Sequence, residues 1–78
     1  MKTVPLEFDY EVTEEDKEID VVVSYRCNVG RNQWLYPMKI RGSIYKGKTL
    51  QEFINEGLKK YNKKYKLVEV GKVEIDIP

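Results

Sequence analysis

The 78-residue chain has no histidine and a single cysteine. Without histidine there is no imidazole base, no histidine zinc ligand and no Ser-His or Cys-His nucleophile pair. One cysteine, Cys27, admits no internal disulfide. Small secreted domains usually rely on several, so the composition points to a reducing, cytoplasmic setting. No apolar run approaches the roughly 20 residues of a membrane span. Met1-Lys2-Thr3-Val4-Pro5-Leu6-Glu7 carries a lysine but no apolar stretch after it, so no signal peptide is expected there.

The length allows one domain, residues 1–78. At 41% hydrophobic and 35% charged residues, the chain is too apolar for disorder and too charged for a membrane protein. Its net charge of +1 conceals a segregation. Residues 1–20 hold eight acids against two lysines, a net of −6. Residues 21–66 hold eleven bases against two glutamates, a net of +9, and residues 67–78 return to −2. Such blocks give a chain electrostatic preferences that its average charge hides.

Alternation of Val4, Leu6, Phe8, Tyr10 and Val12 with Pro5, Glu7, Asp9 and Glu11 predicts a first strand with one buried and one acidic face. Thr13–Glu18 reads as a charged turn. Ile19, Val21, Val23 and Tyr25 repeat the alternation, and Asn28–Gln33 forms a polar hairpin loop. Trp34, Tyr36, Met38, Ile40 and Ile44 share one face of a third strand. Pro37 has no N–H to donate, which places that strand at an edge or bulges it. Leu50, Phe53, Ile54, Leu58 and Tyr61 form one apolar helical stripe, and Thr49 with Glu52 reads as a capping box. The helix is expected over Thr49–Lys64, and Gly57 inside it implies close packing. Val68 and Val70 differ in phase from Val73, Ile75 and Ile77; a hairpin turn at Gly71-Lys72 or a bulge at Gly71 fits equally well. The order is β-β-β-α-β, with a sixth element if the hairpin forms. The expected fold class is α+β, one amphipathic helix on one face of a mostly antiparallel sheet.

Gly42-Ser43-Ile44-Tyr45-Lys46-Gly47-Lys48-Thr49 matches G-x-x-x-x-G-K-S/T, the loop that cradles phosphates at a helix N-terminus. That mechanism requires a parallel, helix-covered sheet and a second apolar strand ending in a magnesium-binding Asp, and neither is present in the pattern. No nucleotide, other cofactor or metal is therefore expected. A bland tight turn and cap explains the segment, and the amides of Gly47-Lys48-Thr49 remain a weaker anion candidate. Glu7, Asp9, Glu11 and Asp20 are carboxylates without the loop geometry of a cation site.

Two readings of function follow. Val22, Leu35 and Tyr45 fall out of phase with the core positions of their strands, and one helix covers one sheet face only. Trp34, Arg31 and Arg41 lie near them and are residue types that anchor interfaces. These six positions define a partner-binding surface, and the chain reads as a non-catalytic binding or regulatory module, an inhibitor, an adaptor or a homodimer. The alternative uses the basic middle, residues 26–66, to bind nucleic acid through Lys59, Lys60, Lys63, Lys64, Lys66 and Tyr65. An enzyme is not expected, because no acid–base constellation emerges.

Overall fold

The computed structural model describes residues 1–28, 35–65 and 67–78, without the side chains of residues 35, 63–65, 67 and 68. Its elements are β1 (Lys2–Val4), β2 (Ile19–Asn28), β3 (Leu35–Ile44), α1 (Leu50–Tyr65) and β4 (Leu67–Ile75). They form one four-stranded sheet in the order β1-β4-β2-β3 with a single helix, an α+β architecture.

β2 is the spine. It pairs antiparallel with β3 from Ile19↔Ile44 to Asn28↔Leu35, and with β4 from Val21↔Ile75 to Cys27↔Leu67. Its odd-numbered residues Ile19 to Tyr25 are almost wholly buried beneath the helix layer, as period-2 alternation requires of a covered sheet face. Val73, Ile75, Ile44, Leu50, Ile54 and Val12 complete the core.

The phase change in the last strand comes from bulging. Ser24 pairs with Lys72 and Tyr25 with Val70, which leaves Gly71 as the extra residue. A second shift leaves out Val68, between the pairs Arg26↔Glu69 and Cys27↔Leu67. The first bulge lets Val70 and Val73, of opposite parity, both pack on the core. β4 is thus one continuous strand, and the hairpin alternative does not form.

The expected first strand is corrected. Ladder pairing covers only Lys2–Val4, against Ile75, Glu74 and Val73. Pro5 ends it, and the chain turns back with the Phe8 amide donating to the Pro5 carbonyl at 3.0 Å. Residues 8–12 lie instead across the start of α1, touching it through an isolated Glu11↔Thr49 bridge. Phe8 and Tyr10 are half-buried and Val12 is buried, while Glu7, Asp9 and Glu11 stay exposed. An extended segment laid on a core alternates just as a strand does, so periodicity alone does not separate the two.

Helix α1 sits close to the sheet. A β-carbon at Gly42 would come within 2.6 Å of the Phe53 ring, and the Tyr25 hydroxyl fills the space beside Gly57. Lys2 Nζ donates to the Pro78 carbonyl at 2.9 Å, bringing both chain ends to the β1 side of the sheet.

Candidate binding surface

The phosphate-loop match dissolves into three different elements. Gly42, Ser43 and Ile44 end β3, Lys46 and Gly47 form a turn with Gly47 at φ +86, and Thr49 caps α1. All four leading amides of the helix have acceptors inside the chain. Leu50 N donates to the Tyr10 carbonyl (2.9 Å), Gln51 N to Asp9 Oδ1 (3.0 Å), Glu52 N to Thr49 Oγ1 (3.2 Å) and Phe53 N to the Thr49 carbonyl (3.2 Å). Asp9 thereby supplies both a cap and a negative charge where the helix dipole favours one. The Gln51 side chain reaches back to the Leu6 and Phe8 carbonyls at 2.9 and 2.7 Å. Lys48 is held by Glu56 at 2.8 Å, and this hydrogen bond raises its pKa above the usual lysine value. Of the amides expected to meet an anion, Gly47 N donates to the Val12 carbonyl at 3.2 Å and Lys48 N to the Tyr45 carbonyl at 2.9 Å, so with the Lys48 ammonium also engaged these groups serve the chain's own structure.

The charge blocks fold onto one another. Lys46 meets Glu15 at 2.8 Å and Arg26 meets Glu69 at 3.5 Å, each pair joining two blocks. Ser43 donates to Glu18 at 2.9 Å. Each exposed pair contributes only about 0–1 kcal/mol, but together they interleave the basic middle with carboxylates. Lys39 and Arg41 on β3 make no ion pair among the described residues.

Away from the helix, the sheet presents crosswise rows. Lys39 of β3, Ser24 of β2 and Lys72 of β4 form one. Arg41, Val22, Glu74 and Thr3 form the next, and Pro37, Arg26 and Glu69 a third. This open face is polar, not apolar. Val22 is nevertheless only 8% exposed and lies in a shallow depression with Met1 and Arg41.

The fate of each expected interface residue follows from this register. Leu35 pairs with Asn28, six residues along β3 from Arg41 beside Val22, which is about 20 Å at strand rise. Tyr45 lies past the other end of the strand, 54% exposed, against Glu15–Glu18 and Lys46. Val22, Leu35 and Tyr45 therefore do not assemble into one apolar patch. Arg41 does lie on the open face, and Arg31 and Trp34 are outside the described residues. Of the nucleic-acid set, Lys59 and Lys60 are exposed on α1, with Lys60 Nζ 5.5 Å from the Tyr61 ring centre. Lys63, Lys64 and Tyr65 close the helix by backbone, and Lys66 is outside the described residues.

What the geometry adds is the edge. β3 runs for 10 residues with β2 on one side and no strand on the other among the described residues. Pro37, read from sequence as an edge marker, lies on it. On the helix side of this edge Tyr36 is 49% exposed and Met38 and Ile40 are half-buried. A groove of about 290 Å³ continues between β3 and α1, where Ile40, Phe53 and Tyr61 lie among the charged side chains of Arg41, Lys48, Glu56 and Lys60. Pro37 had already marked β3 as an edge; Lys39 is the residue left out of the expected partner-binding set, and the signal available was two bases of one parity after that proline.

Conventional site chemistry has little to work with. Cys27 is buried and donates to the Tyr36 carbonyl at 3.3 Å. Among the described residues no cluster of three His, Cys, Asp or Glu forms a metal cage, and no helix is long and apolar enough to cross a membrane. Compared with protein-family models, curated proteins and solved structures, the chain matches none of them.

Proposed function

We propose that this chain is a non-catalytic protein-binding module that engages another polypeptide along β3. The observation that carries the reading is the outer side of a 10-residue edge strand, which has no strand beside it among the described residues. Its backbone donors and acceptors are a template for strand addition, in which main-chain hydrogen bonds supply affinity and alternate side chains supply specificity. Half-exposed Tyr36, with Ile40 and Phe53 at the mouth of the β3–α1 groove, offers apolar contact on one side of the edge. Lys39 and Arg41 offer charge on the other. The pairing of Arg26, Lys46 and Lys48 with carboxylates interrupts the positive charge of residues 26–48, which favours this reading over a nucleic-acid track running through them.

A photo-crosslinking residue replacing Lys39, compared in cells with one replacing Glu14, tests the proposal. Protein adducts specific to the Lys39 position are expected. Adducts to RNA or DNA there, or equal protein labelling from both positions, would count against it.

A further inference from the structure

We infer that the occupant of this edge is an extended acidic segment of another protein, added to β3 as a fifth strand. The inference rests on the binding reading above and deepens it. Lys39 and Arg41 stand two residues apart on the open face, the spacing at which one strand presents successive side chains to the same side. Both are exposed, and neither has a carboxylate partner among the described residues. A strand laid against β3 brings its own side chains about 4.5–5.5 Å from theirs, where opposite charges attract and like charges repel. Between them Ile40 points to the helix side and lines the groove with Phe53 and Tyr61. The complementary sequence is therefore acidic–apolar–acidic, its carboxylates over Lys39 and Arg41 and its apolar residue beside Ile40.

A second copy of this chain fits worse. Antiparallel pairing of β3 with itself, centred on Ile40, would set Lys39 against Arg41 of the copy twice. Shifting the centre by one residue sets Lys39 on Lys39 or Arg41 on Arg41. The same two cations that invite an acidic strand repel a duplicate, as edge lysines do in many sheets.

The test titrates the isotope-labelled full chain with two synthetic peptides, one alternating glutamate with valine and the other alternating lysine with valine. With the glutamate peptide, amide shifts and slowed exchange are expected over Met38–Gly42. Lys39→Glu with Arg41→Glu should weaken that peptide at least tenfold and let the lysine peptide bind. The thermal melt of the double variant should match wild type, since both positions are exposed. Equal binding of both peptides along β3 would overturn the acidic occupant while leaving the edge reading intact. A glutamate peptide that leaves β3 amides unmoved would overturn the inference, and with no adducts from position 39 the binding reading falls too. An oligouridylate that moves those amides where the glutamate peptide does not would overturn it in favour of nucleic acid.

Discussion

The Tyr25 hydroxyl occupies the space that a side chain at Gly57 would need, and it donates to the Ile54 carbonyl at 2.9 Å. One phenol thus fixes both how near α1 approaches the sheet and where along its length it sits. Gly57→Ala gains helix propensity of about 1 kcal/mol yet forces the helix off this contact, so a net loss of about 1–3 kcal/mol is expected. Tyr25→Phe in the same chain should recover part of that loss. A double-mutant cycle by urea denaturation reads the coupling, expected at about 1 kcal/mol or more. Additive effects would show that the hydroxyl does not set the spacing.

The same group makes stability depend on alkaline pH. Burial, with a smaller contribution from Tyr61, pushes the Tyr25 hydroxyl from 10.0 up to about 12. A folded-state value above the unfolded one means that the folded chain holds this proton more tightly. The contribution is complete below pH 10 and is lost as pH rises toward 12. Roughly 2–3 kcal/mol is at stake. Urea midpoints followed from pH 9 to pH 12 should fall more steeply in wild type than in Tyr25→Phe; parallel curves would refute the assignment.

Asp9 ties the segment after β1 to the helix, accepting from Gln51 N at 3.0 Å and from Tyr10 N at 2.9 Å. Asp9→Ala should cost about 1–2 kcal/mol. Asp9→Asn keeps an acceptor and loses only the charge at the dipole, so about 0.3–1 kcal/mol is expected. Limited proteolysis should cut between Glu7 and Glu11 faster in the alanine variant. A cut rate equal to wild type would show that the segment is held by its apolar residues alone.

Leu50 is fully buried while Phe53, one turn on, is only half-buried at the β3 margin. Leu50→Ala should cost about 2–5 kcal/mol, a large share of what a domain this size possesses. Phe53→Ala should cost less, since water reaches its ring already and the truncation leaves no closed cavity. Thermal melts compare the two, and a larger loss at Phe53 would mean that the β3–α1 groove is closed in solution.

The sequence reveals elements well where burial is one-sided and sustained. Ile19–Tyr25, the Leu50–Tyr61 stripe and Pro37 each led to the right element because hydrophobic period and backbone chemistry agreed there. Val4–Val12 misled because alternation reports a half-buried extended chain, whether or not a ladder exists. The proposed binding surface was legible only in part. Arg41 was singled out by residue type and does lie on the open face, but the dispersal of Val22, Leu35 and Tyr45 depends on register, which single-strand parity does not contain. Charge segregation in the sequence does not say which carboxylate meets which base; the fold pairs Glu15 with Lys46 and Glu69 with Arg26 across the blocks.

The hydrogen bond from Lys2 to the Pro78 carbonyl makes the polypeptide nearly a ring whose seam lies beside β1, at the opposite margin of the sheet from β3. A fusion partner or affinity handle attached at either terminus would hang from the margin away from β3 and leave that strand accessible. Because the seam is so short, the termini could be joined by a brief linker and new ones opened in the Lys46–Gly47 turn. Such a permuted chain should keep its fold, and it would carry its cargo beside the β3 end of the sheet.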